Sequence, residues 1–497
     1  MIKKVYKEKM RICHIASELT PIAKAGGLGD IVGSLPKEIS EKFEVESRVF
    51  LPKYKSIDMD KYPAELIMRE LKVEFPDGKF GKVNIWKTLI PFSIVPVYLV
   101  ESEELFTGKE IYDHNIVKAF SGLAKVALEV LKALDWRPDV IQCHDAMMAM
   151  AIKWLKTTYK NDPFYRSIAT VLTIHNLLFQ NSLPIKEAKS LSLKKSDFAW
   201  QKKYKLDKTK INLMAEGIEN ATMVNTVSPN YARETMTKKY GCGLNKLLSH
   251  HKDKYTGILN GIDYSSFDPR YNEDTPVKYW IPDLDRKVEN KMFLQKKFGL
   301  IQSPDLPLIC VISRLTNQKG LDLIEDVLKD LMDMGAQFII LGSGSEKIEK
   351  VFIKAEKDYP KAIEAEMEFD ASLAQTIYAG ADMLLMPSRF EPCGLSQIIA
   401  MRFGTIPIVR RTGGLADTVH DGYTGFVFND YDKNAFLWAI RRAVDVYYNQ
   451  KDHWRKMQIM AMEKDFSWTN SAKKYIWLYK KAIKKQREFL KNDNENN

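Results

Sequence analysis

Apolar, β-branched runs alternate with amphipathic segments along most of the chain. This alternation predicts α/β units built around parallel sheets. The predicted strands are RICHIAS, SRVFLP, SIVPVYLV, DVIQCHD, SIATVLTIHN and ATMVNTVS in the first half, and LPLICVIS, AQFIILG, ADMLLMP and IPIVR in the second. Several of these strands end in polar or glycine-rich junctions. Open α/β sheets bind ligands outside the carboxyl ends of their strands, so the pattern predicts binding chemistry in both halves.

The two halves meet near Asn260, within YTGILNGIDYSSFDP, whose Gly, Asn, Asp and Pro residues favour turns. A chain of 497 residues is too long for one ordinary core, and its length favours two or three domains. We predict an N-terminal domain at 1–259 and a second domain at 260–465. Apolar residues at helical spacing predict a final helix at 466–490. The polar end, 491–497, predicts a disordered tail.

Composition narrows the class of protein. The 45% hydrophobic and 28% charged residues are typical of a globular protein. The five cysteines form no CxxC pair, which argues against a disulfide framework and a zinc site and fits a reducing cytoplasm. Neither a signal-peptide core nor a run of about 18 apolar residues is present, so we expect no membrane partner. The net charge of +11 fits a lysine-rich surface; nucleic-acid binding ranks last, because no such motif appears.

Two glycine pairs open predicted helices directly after strands. Gly26 and Gly27 lie in KAGGLGD, and Gly413 and Gly414 lie in RTGGLADTV. A helix N-terminus offers free N–H groups and a positive dipole end to an anion, and Lys24 adds a charge to the first pair. Neither segment is a GxGxxG fingerprint or a Walker loop. A tight turn explains each pair equally well when it is taken alone.

Charged side chains follow two strands of the second half. Arg314 and Lys319 follow LPLICVIS, and two cations at such a junction can clamp a diphosphate. Glu391 follows ADMLLM in PSRFEPCGLSQ, where a carboxylate can hydrogen-bond sugar hydroxyls or stabilise positive charge on a sugar ring. The alternatives are two ordinary surface cations and an acid that favours the following helix dipole.

Histidines end two strands of the first half. His144 and Asp145 end DVIQCHD, and His175 and Asn176 end SIATVLTIHN. A single histidine is more often structural than catalytic. Their position at strand ends favours a functional role.

Seven motifs occur together, in order: KAGGLGD, TIHN, TVSPNYARE, GILNGID, SRLTNQKG, PSRFEPCGLSQ and RTGGLADTV. From about Arg11 to the final helix, the chain resembles the bacterial glycogen synthases and plant starch synthases, glycosyltransferase family 5. The resemblance implies the GT-B fold: two Rossmann-like α/β domains whose parallel sheets face each other across a cleft, with the final helix crossing back to the N-terminal domain. It also implies that the N-terminal domain binds the acceptor glucan and the second domain binds the nucleotide sugar.

The resemblance implies transfer of glucose from ADP-glucose to the non-reducing end of glycogen or a maltooligosaccharide, with retention of configuration and release of ADP. No metal or other cofactor is expected. The implied catalytic residues are Glu391, His175, Lys319 and Arg314. The implied donor-binding residues are Lys24, Gly27, Asp30, Phe369, Cys393, Gly394, Leu395, Thr412, Gly413, Gly414 and Leu415. The implied residues of the acceptor and sugar cleft are Asp145, Asn176 and Asn260.

Within this resemblance, Arg314 and Lys319 bind the diphosphate and Glu391 holds the glucose ring. His175 hydrogen-bonds the sugar, and its carbonyl stabilises the oxocarbenium-like transition state. A related GT-B pattern has a second Glu where this chain has Ile399, so we favour front-face displacement over a double displacement that needs two carboxylates.

The chain departs from the family at several positions. The family's HDWH is replaced by HDAMM, a glycine is replaced by Asn181, a Trp by Phe267, and a Tyr expected to stack on adenine by Phe369. These changes leave two alternatives open: a UDP-glucose-dependent GT-B glucosyltransferase and a non-catalytic glucan-binding homologue. A glycogen phosphorylase is disfavoured because no pyridoxal-phosphate lysine motif is found. The sequence makes no prediction of oligomeric state.

Overall fold

The computed structural model describes residues 9–368 and 370–495. These residues separate into two compact units. Unit 1 consists of the described parts of 1–227, 232–261 and 468–497, and unit 2 consists of 228–231 and the described parts of 262–467.

Unit 1 is built on a nine-stranded mixed sheet. The strands of this unit are β1 (Met10–Ile15), β2 (Val45–Pro52), β3 (Glu65–Glu74), β4 (Phe80–Leu89), β5 (Pro96–Glu101), β6 (Val140–His144), β7 (Ala169–Ile174), β8 (Ser182–Pro184), β9 (Lys210–Asn212), β10 (Met223–Thr226) and β11 (Tyr255–Gly257). The sheet order is β11-β10-β7-β6-β1-β2-β5-β4-β3, and β8 pairs with β9 separately. All neighbours in the large sheet are parallel except in the β5-β4-β3 segment, which is antiparallel.

Unit 2 is built on a six-stranded, wholly parallel sheet. Its strands are β12 (Leu308–Ile312), β13 (Gln337–Leu341), β14 (Ile363–Glu366), β15 (Met383–Met386), β16 (Ile406–Arg410) and β17 (Phe426–Phe428). The order is β14-β13-β12-β15-β16-β17, which is the doubly wound order of a Rossmann fold. The parallel strands of unit 1 are also doubly wound, in the order β5-β2-β1-β6-β7-β10-β11. The order therefore reverses between β1 and β6 in unit 1 and between β12 and β15 in unit 2.

Helices cover these sheets. They are α1 (Gly27–Lys42), α2 (Ile116–Ala133), α3 (Ala149–Lys156), α4 (Leu213–Asn220), α5 (Pro229–Thr235), α6 (Asn245–His250), α7 (Lys287–Lys297), α8 (Leu321–Asp333), α9 (Glu346–Asp358), α10 (Ala371–Gly380), α11 (Ser396–Arg402), α12 (Gly413–Thr418), α13 (Lys433–Asn449), α14 (Lys451–Glu463) and α15 (Trp468–Glu495). Short 3₁₀ segments lie at Ala146–Met148, Ile185–Leu191, Lys195–Tyr204, Ile281–Arg286 and Asn317–Lys319. No helix in the described part of the chain is long and apolar enough to span a membrane.

The strands that the hydrophobic pattern predicts are all present. Every residue of β7 and of β13 is buried, as expected for parallel strands covered on both faces. The pattern did not predict the β3–β4 hairpin. Its strands expose many of their residues and contain no run of more than three apolar residues, so they lack the feature by which buried strands are found.

The final helix, α15, returns to unit 1, as the resemblance implied. Its apolar stripe, which includes Tyr475 and Tyr479, is buried, and the helix packs against α1 and β7. The prediction of a disordered tail at 491–497 is wrong for residues 491–495. The helix continues to Glu495, and Asp493 pairs with Arg166 at 3.3 Å, so a polar segment extends a helix that packing has already nucleated. Residues 496–497 lie outside the described residues.

Candidate functional site

Two loops carry the predicted catalytic residues of unit 2. Residues 313–320, the lysine loop, follow β12, and residues 387–395, the glutamate loop, follow β15. Because the sheet order reverses between these two strands, their carboxyl ends flank the crevice where doubly wound folds bind ligands.

The two loops pack backbone against backbone. Arg389 N–H donates to the Gln318 carbonyl at 2.8 Å, and the Gln318 side-chain amide donates to the Phe390 carbonyl at 3.2 Å. Gly320 has a φ of +72°, and a Cβ at this position would lie 2.1 Å from the Pro387 carbonyl oxygen. Glycine is therefore required here both for its backbone conformation and for the close approach.

Lys319 and Glu391 form an ion pair between these loops. Lys319 Nζ lies 2.7 Å from Glu391 Oε2, and the Ser388 hydroxyl donates to the same oxygen at 3.0 Å. Glu391 is only 5% exposed, so its charge depends on these partners for compensation. Both contacts use Oε2, and Oε1 accepts no hydrogen bond from the described residues. This oxygen is the one that remains for a ligand hydroxyl.

Arg314 differs from Lys319 in its surroundings. Its side chain is exposed, and among the described residues its guanidinium has no hydrogen-bond or ion-pair partner. The lysine loop therefore presents one unpaired planar cation, suited to bidentate anion contacts, and one cation already bound to a carboxylate.

The second glycine pair packs α12 against the glutamate loop. A Cβ on Gly413 would lie 1.7 Å from the Glu391 carbonyl oxygen, and one on Gly414 would lie 2.0 Å from the Cys393 carbonyl oxygen. Gly414 N–H donates to the Glu391 carbonyl at 3.0 Å, and Leu415 N–H donates to the Thr412 carbonyl at 3.0 Å. Two of the N–H groups predicted to bind the donor are thus bonded within unit 2, and the glycines have a packing explanation.

The rest of PSRFEPCGLSQ also has a structural explanation. Cys393 is buried, and Gly394 has a φ of +71°. The Gln397 amide donates to the carbonyls of both residues, at 3.1 and 3.0 Å, and ties the loop to α11. Leu395 is partly buried at the start of that helix. The predicted adenine contact, Phe369, lies outside the described residues.

In unit 1, the predicted residues at the ends of β6 and β7 are adjacent. Asp145 is buried, and its carboxylate accepts the backbone N–H of His175 at 2.7 Å and that of Asn176. Burial raises the pKa of Asp145 to about 7, against the lowering effect of these two N–H donors. The φ of +63° and ψ of 177° at Asp145 belong to a region that strongly favours glycine, so this junction holds local backbone strain.

His175 is the last of three histidine rings that stack in a row on neighbouring strands. The ring of His144 stacks on that of His175 with a centroid separation of 5.2 Å, and the ring of His14 stacks on that of His144 at 5.7 Å. Sequence reasoning missed His14. It lies within the first predicted strand, and the doubly wound order places that strand next to β6.

The turn at the first glycine pair binds a carboxylate of the chain itself. Glu18 Oε2 accepts the N–H of Ala25 at 2.9 Å and that of Gly26 at 2.6 Å, and the Tyr112 hydroxyl donates to Glu18 Oε1 at 2.5 Å. Sequence reasoning missed both Glu18 and Tyr112. The predicted anion-binding turn does bind an anion here, and that anion is a side chain of unit 1.

The other donor-binding residues predicted near this turn pair with each other. Lys24 Nζ lies 2.7 Å from Asp30 Oδ1, and the Thr20 hydroxyl donates to the same oxygen at 3.1 Å. Gly27 is the first residue of α1. Asn260 is buried, and its Oδ1 has no hydrogen-bond partner among the described residues. Across residues 9–368 and 370–495, no group of three His, Cys, Asp or Glu side chains is placed to hold a metal ion.

Two doubly wound α/β units, each with polar residues at the reversal of its sheet order, match the structures of GT-B glycosyltransferases. The family models match accordingly: a starch synthase catalytic domain at residues 11–250 and a glycosyl transferases group 1 domain at residues 294–457. The chain belongs to the family of glycogen synthases and starch synthases.

Curated relatives and solved structures support this assignment. The glycogen synthase of Thermosipho melanesiensis is 40% identical over 490 residues, covering 96% of this chain and 100% of the relative. That of Thermotoga maritima is 38% identical over 493 residues, covering 96% and 99%. The catalytic domain of starch synthase IV from Arabidopsis thaliana, solved with ADP and acarbose, matches with a TM-score of 0.89 and 32% identity over 96% of this chain and 100% of that one.

A more distant structure shows the fold alone. Sucrose-phosphate synthase from Thermosynechococcus elongatus has a TM-score of 0.59 and 17% identity, covering 95% of this chain and 98% of its own. The family assignment makes the protein a transferase of the glycogen and starch synthase type.

Proposed function

We propose that the protein transfers glucose from ADP-glucose to the non-reducing end of an α-1,4-glucan, with retention of configuration and release of ADP. The observation that carries the proposal is the Lys319–Glu391 pair at the reversal point of unit 2, with the unpaired Arg314 on the same loop as Lys319. The starch synthase solved with ADP and acarbose supports both the nucleotide and the glucan.

In this reaction, negative charge develops on the diphosphate as the bond to glucose breaks. Arg314 and Lys319 stabilise that charge, because positive groups already held in place need little reorganisation at the moment of reaction. Arg314 is available to the phosphate because no described residue pairs with it, and Lys319 is shared between the phosphate and Glu391. These two cations supply the positive charge in the proposed reaction, which uses no metal or other cofactor.

Glu391 holds the transferred glucose. Its Oε1 accepts a sugar hydroxyl, while Lys319 and Ser388 fix the carboxylate through Oε2. A double displacement needs a second carboxylate as nucleophile, and the position that bears it in a related pattern is Ile399, a buried apolar residue of α11. We therefore propose front-face displacement, in which the acceptor attacks on the side from which ADP leaves. Isolation of a covalent glucosyl-enzyme would overturn this step.

Unit 1 contributes the remaining sugar contacts. We propose that His175 donates a hydrogen bond to the sugar and that Asp145, Asn176 and Asn260 contact sugar or acceptor hydroxyls. The hydrogen bonds from His175 and Asn176 to Asp145 hold these residues in one arrangement. The partnerless Oδ1 of Asn260 supports a ligand contact, because buried polar atoms normally have partners.

The donor is tested by measuring nucleotide release from ADP-glucose and UDP-glucose, each with and without glycogen. The proposal predicts ADP release that depends on glycogen and little release of UDP. Faster release of UDP would overturn the proposed donor and leave the proposed site residues unchanged. No release from either donor, with glycogen still bound, would overturn the catalytic proposal and favour a glucan-binding homologue.

A further inference from the structure

Three histidine rings form a row across the centre of the unit 1 sheet. His14 is the penultimate residue of β1, His144 is the last residue of β6, and His175 directly follows β7. These strands are neighbours in the sheet. His14 and His144 are fully buried, whereas His175 is partly exposed. The row therefore leads from the core to the strand end at which the proposed function places a sugar.

The rings are connected through their nitrogen atoms. His144 Nδ1 lies 2.9 Å from His175 Nε2, and His14 Nδ1 lies 3.4 Å from His144 Nε2. The two outer nitrogens, His14 Nε2 and His175 Nδ1, are buried and have no partner among the described residues. Burial lowers the pKa of His14 and of His175 to about 3 and also lowers that of His144, so all three rings are neutral at pH 7.

A neutral imidazole has one N–H donor and one acceptor nitrogen. If His144 donates through Nδ1, its Nε2 must accept from His14 Nδ1. His175 then accepts at Nε2 and must carry its own proton on Nδ1. If His144 accepts at Nδ1, every ring carries its proton on Nε2 instead. Both contacts are hydrogen bonds only when the three rings share one tautomer.

The two arrangements differ at the ends of the row. With all protons on Nε2, the unpaired N–H is on His14, in the interior, where no described residue accepts it. With all protons on Nδ1, the unpaired N–H is on His175, at the end of β7. Because an unpaired buried donor is unfavourable, a sugar oxygen that accepts from His175 Nδ1–H favours the second arrangement.

We propose that His144 is a positioning residue for the transfer reaction, holding His175 through Nδ1–H so that His175 presents Nδ1–H to the sugar, and that His14 completes the row by donating to His144. The sugar contact rests on the proposed function. The shared tautomer does not, since it follows from the geometry of the three rings.

Two substitutions at one position test the role of His144. An asparagine amide reaches the place of imidazole Nδ1, which faces His175, and a glutamine amide reaches the place of Nε2, which faces His14. We expect H144N to keep kcat within about threefold of the parent and H144Q to lower it by about tenfold or more, since only the first keeps the contact to His175. A side chain that only fills space predicts the opposite order, because glutamine is closer to histidine in size.

Circular dichroism and thermal melting of both variants show whether each remains folded, and KM for the donor is measured with kcat. Equal activity of the two folded variants, or higher activity of H144Q, would contradict a positioning role. If H144N fails to fold, H175A with an intact His144 provides the second comparison: removal of the ring that His144 holds should lower kcat at least as much as H144Q does. A smaller effect would overturn the proposal.

The tautomers are measured without substrate, by ¹⁵N NMR of protein labelled at histidine, with resonances assigned from single substitutions at the three positions. We expect one shared tautomer among His14, His144 and His175 at pH 7. Mixed tautomers, or a charged ring, would overturn the row. This measurement is independent of turnover, so a protein that shows the shared tautomer but does not use ADP-glucose would refute the proposed function alone.

Discussion

Lys319 Nζ lies 2.7 Å from Glu391 Oε2, and this pair joins the two loops at the reversal point of the unit 2 sheet. The side chains are 17% and 6% exposed, so both charges lie largely outside water. Removal of one partner leaves the other charge uncompensated, which is more costly than the pair itself is favourable. The pair therefore serves stability as well as the chemistry proposed for its two members.

The first prediction concerns this pair and an exposed pair of the same unit. K319Q should lower the free energy of unfolding by about 1–3 kcal/mol, because it leaves the Glu391 carboxylate with a weaker partner. Lys329 pairs with Asp333 at 2.7 Å with both side chains mostly exposed. K329Q should therefore cost less than about 0.5 kcal/mol. Urea unfolding of both variants makes the comparison, and equal costs would show that the Lys319–Glu391 pair is effectively solvated.

A second prediction concerns the packing of α12 on the glutamate loop. G414A places a methyl group 2.0 Å from the Cys393 carbonyl oxygen, so the glutamate loop must move. The free energy of unfolding should fall by about 2 kcal/mol or more, and activity should fall with it. Gly422 has a φ of +73°, and no atom lies within 4 Å of the position that a Cβ would take. G422A should cost only the conformational strain, about 1 kcal/mol, and leave activity unchanged. Thermal melting and nucleotide release distinguish the two; an active, stable G414A variant would be inconsistent with this packing.

The third prediction is a pH dependence of stability from Asp145. Its pKa is raised by burial to about 7 in the folded protein, against an ordinary value near 3.8. Between these values the folded state binds more protons than the unfolded state, so this group makes stability fall as pH rises from about 4 to 7, by up to about 1.4 kcal/mol per pH unit.

D145N removes this contribution and keeps an oxygen that can accept the N–H groups of His175 and Asn176. The difference in unfolding free energy between parent and variant should change across pH 4 to 7 and level off above it. A difference that is constant over this range would mean that Asp145 is ionised throughout.

Lys287 gives a fourth prediction, with the opposite sign. It is buried in unit 2, and burial lowers its pKa from 10.5 to about 7. Its Nζ donates to the carbonyls of Tyr378 and Ala379 and to the hydroxyl of Thr405. Between pH 7 and about 10.5 the unfolded state binds more protons, so this lysine makes stability rise with pH.

K287M should abolish that rise. Denaturant unfolding of parent and variant at pH 7, 8 and 9 tests it, and parallel pH profiles would show that Lys287 stays charged in the folded protein. Lys291 is the control in the same helix, because it pairs with Asp382 at 2.7 Å. K291M should therefore lower stability and weaken, but not abolish, the rise between pH 7 and 9, because Asp382 then acts on Lys287 without its own partner.

The buried parallel strands and the final helix could be predicted because their residues carry the periodicity that burial imposes. Strand order was not predicted, although it decides which junctions meet. The sequence places His144 and His175 at the ends of two predicted strands. Only the pairing of β1 with β6 in the structure shows that His14 lies next to His144. Which residues come together in one site therefore depends on the strand order as much as on the sequence motifs.

The turn at Gly26 shows why motifs alone leave roles open. A helix start with glycines predicts that an anion binds, and Glu18 supplies that anion from within unit 1. Nothing in the pattern distinguishes a carboxylate of the chain from a phosphate of a ligand. The tail at 491–495 is a similar case. Its polar composition is typical of a disordered segment, but it continues a helix whose earlier residues are packed.

The central claim is tested most directly by incorporation of labelled glucose from ADP-glucose into glycogen by the parent protein, E391Q and K329Q. We predict incorporation by the parent and by K329Q, and a loss of about 100-fold or more in a folded E391Q variant, because the carboxylate that holds the reacting glucose is gone. Equal incorporation by E391Q and the parent would contradict the assigned site. No incorporation by the parent would contradict the proposed reaction itself.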